Sequence, residues 1–378
     1  MIETPPLVDQ YCHGVLRTEL GLGTFEARLG RSVGPAAAGT TFFDTQAGFA
    51  VRRWCPPLLG LEPHCPPAHY LARRRELGVV ESGRRLLRGA GTGTYLVDTG
   101  APGDLTGPKE LALAGDAEAY ESVRLELLAE NVADTSGTAE GFLANLAEAV
   151  QHAAAGAVAF TAGAGEGTGA GAGYGAVLAF APAPPGPDEV RDAAARWLAR
   201  RAKGGPVRDP VLVRHLLWSA VESGLPLQLH TGAGDPRERP DRGDPALLTD
   251  FVRATAGVGG DLVLLHGYPY HRQAAQLAAA FPHVYADLGP ALARTGARAD
   301  AVLAELLELA PFGKLLFSSG GHELPELHVV AARVFREALG RVLGGWVADG
   351  AWSWRDAERV AALLAAGNAR RVYRLDEP

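Results

Sequence analysis

Three apolar runs of this chain end in histidine: Leu7-Val8-Asp9-Gln10-Tyr11-Cys12-His13, Leu225-Pro226-Leu227-Gln228-Leu229-His230 and Asp261-Leu262-Val263-Leu264-Leu265-His266. An imidazole at the carboxyl end of a buried strand can ligate a metal or carry a proton, and several at one end of a parallel barrel face the same axis. His13, His230 and His266 are therefore the candidate ligands. A single histidine near a strand end is more often a hydrogen-bonded loop or core residue, whereas three at one end of a barrel point to a shared site. Side-chain alternation puts Tyr11 on the face of His13 and Cys12 on the other. A fourth run, Lys314-Leu315-Leu316-Phe317-Ser318-Ser319, ends at Gly320, where such a site would take an acid.

Elements that position such residues are legible as short apolar runs alternating with helical patterns, the signature of repeated βα units around a parallel sheet. Strands are expected near 7–13, 94–99, 123–128, 156–161, 225–230, 261–266, 283–288 and 314–319. Amphipathic or alanine-rich helices are expected over 138–155, 188–202, 209–222, 244–256, 271–281, 297–310, 326–347 and 356–364. Eight strands favour a (β/α)8 TIM barrel over an open doubly wound sheet, which would use five or six. The chain reads as one barrel domain over 1–378, with residues 14–92 inserted after strand one as a helical cap over the mouth. Arg124 and Glu126 read as alternating with Val123 and Leu125 on strand three, a polar face near the site.

Residues 163–187, rich in glycine, alanine and proline, carry neither GxGxxG nor the ending of a phosphate loop, and read as a flexible loop. With 378 residues, 47% hydrophobic, the chain can bury a large core. A net charge of -7 without a basic cluster argues against nucleic acid as a partner. No stretch has the roughly 18 apolar residues of a membrane helix, and the start Met1-Ile2-Glu3-Thr4-Pro5-Pro6 lacks a signal core, so a soluble cytoplasmic protein without a membrane partner is expected. Cys12, Cys55 and Cys65 lack paired spacing and read as reduced thiols. Arg52-Arg53-Trp54 is a candidate interface for a homo-oligomer.

In order and spacing the motifs resemble the metal-dependent amidohydrolase superfamily, specifically the amidohydrolase-related barrels similar to a domain fused ahead of glutamine synthetase in some proteins. The matching residues are Asp9 to His13, Leu229-His230-Thr231-Gly232 with Gly234-Asp235-Pro236, Leu265-His266 with Tyr268-Pro269-Tyr270-His271-Arg272, Val284-Tyr285-Ala286-Asp287, Phe317-Ser318-Ser319-Gly320 with Pro325-Glu326, and Asn368-Ala369-Arg370-Arg371-Val372-Tyr373. The resemblance covers essentially the whole chain. It implies a zinc-type metal that activates water for attack on an amide, with a strand-eight aspartate as ligand and base.

Three positions depart from that pattern. Tyr11 stands for the first histidine of His-x-His, Thr161 stands where some relatives carry lysine, and Gly320 stands for the aspartate. Three neutral histidines still hold zinc in other folds, so one divalent metal, zinc by ligand type, or none at all is expected. His322, Glu323 and Asp235 are the substitute bases, each weighed against a solvated loop role. Tyr11, Arg124, Glu126, Tyr268, His271 and Arg272 are the candidate contacts to a small-molecule substrate or ligand. Two functions follow: a hydrolase of reduced or altered chemistry on an amide or other C–N bond, with decarboxylation as a variant, or a catalytically silent barrel that binds a ligand or partner.

Overall fold

The computed structural model describes residues 2–30, 35–100, 103–163, 182–232 and 239–376. The expected loop at 163–187 falls outside these from 164 to 181, as does Asp235.

Seven strands, β1 (Leu7–Cys12), β2 (Thr92–Asp98), β3 (Glu118–Arg124), β4 (Ala159–Ala162), β5 (Leu227–His230), β6 (Leu262–Leu265) and β7 (Val284–Ala286), lie in chain order in one sheet. Each pair with a described register is parallel. That order, with a helix crossing between successive strands, is the topology of a (β/α)8 barrel. The segment expected as strand eight opens in the 3-10 turn Phe312–Lys314 and then runs beside β1. There Gln10 N–H donates to Phe317 O at 3.1 Å, Gly320 N–H to Tyr11 O at 3.0 Å, and His13 N–H to Gly321 O at 2.7 Å.

Two compact units account for the contacts. The first comprises Met1–Val97, Pro102–Tyr120 and Asp287–Arg371; the second comprises Asp98–Ala101, Glu121–Ala286 and Val372–Pro378.

In the first unit the crossover from β1 to β2 occupies most of the expected cap. Helices Leu22–Leu29 and Gln46–Leu58 precede the long helix Pro67–Ala90, which is kinked at Gly78 and leads directly into β2. From Pro67 onward these residues are the crossover helix of the first βα unit, packed on helix Pro325–Ala348. Tyr70 donates to Glu326 at 2.6 Å, and the Arg74 guanidinium lies 3.2 Å from Glu326, both of the latter pair fully buried. Arg53, from the expected interface segment, lies over the Trp54 ring and pairs with Glu337.

In the second unit the expected third strand is displaced. β3 ends at Arg124, and Leu125–Asp134 is a helix. Leu125, Glu126, Ala129, Glu130 and Ala133 are buried, a spacing of three and four that a strand cannot bury on one face. Glu126 therefore does not share a strand with Arg124; it sits in the first helical turn. A polar ladder crosses the middle of the sheet, where Ser122 bonds Thr161 and Gln228, and Gln228 donates to the Tyr373 hydroxyl at 3.0 Å. Thr161, at the position read against lysine, belongs to this ladder.

Among the described residues no helix is long and apolar enough to cross a membrane.

Candidate functional site

Two groups of side chains stand at the carboxyl ends of strands, one in each unit. In the first, Tyr11 and His13 share a face as alternation requires, and the Tyr11 hydroxyl lies 3.0 Å from His13 Nε2. His322 packs its ring on His13 with centroids 4.7 Å apart. Glu323 follows, only 3% exposed; its Oε1 accepts from Arg28 at 2.6 Å and its Oε2 lies 3.7 Å from His322 Nδ1. Glu323 is thus a buried ion-pair partner and His322 is mostly covered, so neither is a solvated loop residue. The Glu323 backbone has φ +63°, which costs a side chain with a Cβ roughly 1–3 kcal/mol.

Gly320 does more than lack a carboxylate. Its φ is +55°, and a Cβ built on it would lie 2.7 Å from the Pro290 ring. An aspartate cannot be accommodated there without moving backbone. Next to it, Ser318 and Gln10 both bond the Asp287 carboxylate.

In the second group, Asp98 ends β2 and takes two hydrogen bonds from the Arg124 guanidinium, through Nε at 3.1 Å and through Nη2. Both are buried. Beside them Glu126 Oε1 accepts from Gly163 N–H at 3.0 Å, while its Oε2 is buried with no hydrogen-bond partner among the described residues. Burial raises the Glu126 carboxyl to about 7, opposed chiefly by the nearby Arg124 charge. Gly163 follows β4, and His230 needs the space beside it: a Cβ there would meet the His230 ring at 2.5 Å. Glu126 and His230 thus both lie against one glycine. The His230 ring in turn faces His266, with centroids 5.0 Å apart and planes at 72°. His266 has φ +73°, a left-handed conformation rare outside glycine and common at functional sites.

After β6, Tyr268 is exposed and stacks on His271 at 5.5 Å. His271 is buried, with Nδ1 3.2 Å from Pro269 O, and Arg272 is exposed on the helix that His271 begins. The sequence reading missed Asp98. The rule that found the histidines also finds it, since Tyr95-Leu96-Val97 is an apolar run ending in a titratable residue.

A family model described as amidohydrolase matches residues 144–375. The chain belongs to this family. Protein fluG of Emericella nidulans is 40% identical over 184 residues, a match that takes in 47% of this chain and 21% of that protein. The chain thus spans about a fifth of that relative. A solved structure from Lactobacillus casei, described as a metal-dependent hydrolase, superposes with a TM-score of 0.83 at 22% identity, covering 99% of this chain and 96% of that one. The uronate isomerase of Thermotoga maritima follows at 0.60 and 14% identity, covering 97% and 94%. At these identities the structures share the fold.

Membership of the amidohydrolase family implies a divalent metal. The residues fit one in part. His230 and His266 have the ring separation, roughly 5 Å, of two imidazoles bound to one tetrahedral ion. At Gly320 the family's anionic ligand is absent, and His13 Nε2 is engaged by Tyr11.

Proposed function

We propose that this chain is a metal-assisted hydrolase of an amide or related C–N bond in a small molecule, with Glu126 as the proton carrier in place of the missing strand-eight aspartate. The observation that carries this reading is the approach of both Glu126 and His230 to Gly163. The proposed ligands are His230 and His266, with zinc as the ion that imidazole donors suit. When bound, that ion supplies a polarised carbonyl and a water of lowered pKa.

The chain's own groups supply the rest. A carboxyl poised near 7 takes a proton from water and returns it to a leaving amine at neutral pH, which a carboxyl at its ordinary value does poorly. The Gly163 N–H fixes Oε1 and leaves Oε2 for that exchange. Asp98 holds Arg124 beside it, and the Arg124 charge keeps the Glu126 value from rising further.

A second reading, a silent barrel that binds a ligand, is favoured by the backbone at Gly320, which is shaped against the family's acid. Hydrolysis of small γ-glutamyl and aryl amides by the full chain with added zinc separates the two. The hydrolase reading expects turnover with a limb near pH 7, and Glu126→Gln is expected to lower kcat by about 100-fold or more and remove that limb. A metal-loaded protein with no turnover across the panel, or full activity in Glu126→Gln, overturns it.

A further inference from the structure

The first unit holds a second group of metal-ligating residues, apart from every side chain placed in the proposed chemistry. Asp9, Cys12 and His328 offer ligand atoms that all lie within 4.8 Å of one another. Each residue is 0–1% exposed. The first two stand on β1, and His328 stands one turn into helix Pro325–Ala348.

Strict alternation would send Asp9 and Cys12 to opposite faces of β1. The pairing of β1 with β2 slips between Asp9 and Cys12, an irregularity of the kind that re-aims a side chain. That slip is what lets a carboxylate and a thiol three residues apart approach the same imidazole.

Ser319 links two of them, its Oγ lying 3.5 Å from His328 Nδ1. Asp9 accepts from Ser319 N–H at 2.7 Å and from Ser319 Oγ at 2.5 Å, and its one counterpart among the described ion pairs is His328. The His328 Nδ1 to Asp9 Oδ2 separation is 3.6 Å, too long for a hydrogen bond. It is close to the edge, about 3.4 Å, of a tetrahedron with bonds near 2.1 Å. His328 Nε2 is buried with no hydrogen-bond partner among the described residues, and Cys12 Sγ donates to Leu96 O at 3.5 Å. The Tyr95 ring closes the group edge-on to His328 at 5.9 Å. A buried carboxylate, thiol and imidazole with ligand atoms this close form a donor set for one cation.

We propose that Asp9, Cys12 and His328 bind a structural Zn2+ that fastens β1 to helix Pro325–Ala348. On binding, the Cys12 thiol gives its proton to solvent, so a carboxylate, a thiolate and the dication form an electroneutral group inside the protein. Sulfur and nitrogen donors select zinc over magnesium or calcium, which take oxygen.

The site is tested on the full chain, purified without added metal, by metal analysis and by zinc X-ray absorption. The proposed ligands of the catalytic metal are all nitrogen donors, so sulfur scattering at about 2.3 Å marks the Cys12 site. One zinc per chain and its sulfur shell are expected to persist in His230→Ala/His266→Ala. Both are expected to be lost in Cys12→Ser and in His328→Gln. A further readout needs no variant: cobalt substitution of the wild-type chain should give a thiolate charge-transfer band in the near ultraviolet. Absence of sulfur from the wild-type zinc shell together with absence of the cobalt band overturns the proposal, as does undiminished zinc in Cys12→Ser. Because the signal survives loss of His230 and His266, its failure is distinguishable from failure of the hydrolase reading.

Discussion

At the scale of the residue, Glu126 is the group whose environment departs most from its type in a way chemistry can use. Its folded value of about 7 lies above the 4.5 of a free glutamate because burial penalises the charged form. The folded chain therefore holds a proton that the unfolded chain releases between about pH 4.5 and 7. Stability from this group is fully present below that window and is lost as pH rises through it. Glu126→Gln, isosteric and uncharged, is expected to unfold with a flatter pH dependence and to be more stable than wild type above pH 7, by up to about 3 kcal/mol. Urea unfolding at pH 5 and pH 8 measures this, and identical pH slopes for the two proteins would contradict it. The sequence pointed to Glu126 as a polar residue near the site but not to its environment, because a titration shift is made by neighbours far apart in the chain.

At the scale of the element, the joint between helices Pro67–Ala90 and Pro325–Ala348 rests on a buried ion pair. Glu326 is fully buried, Arg74 is 2% exposed, and Tyr70 gives the carboxylate a further hydrogen bond. Removing one partner strands a charge without water. Arg74→Met is expected to cost about 3–5 kcal/mol, while Arg74→Met/Glu326→Gln should recover much of that loss. A double-mutant cycle by chemical denaturation checks it, and a double variant no more stable than Arg74→Met would sink the account. Most helices here were legible from periodicity, as Ala139–Gly156 and Pro187–Arg200 show against the expected 138–155 and 188–202. β3 was not, because Glu118–Arg124 is polar and the apolar residues lie in the helix that follows. Its first four residues are exposed or half-buried, so no apolar run announces it.

At the scale of the whole molecule, metal and stability are linked. A ligand that binds only the folded chain stabilises it by mass action, about 2.7 kcal/mol at a hundredfold excess over its Kd. Thermal unfolding after chelation, and again with zinc restored, should therefore show a lower and then a recovered midpoint. Equal midpoints in both states would count against metal binding at either proposed site.

What the sequence determined by itself is the α/β class, the parallel strand order and the apolar runs that deliver His13, His230 and His266, because strand patterns and chain order are local properties. The contrast between Gly320 and a family aspartate is likewise a matter of residue identity. Only the tertiary structure decided that Gly320 turns its missing side chain toward Pro290 and that Glu323 is locked to Arg28. It also set Glu126 against the Gly163 backbone, and it gathered Asp9, Cys12 and His328 inside the protein. Those arrangements join residues tens to hundreds of positions apart through packing, and burial and distance are not carried by any local pattern.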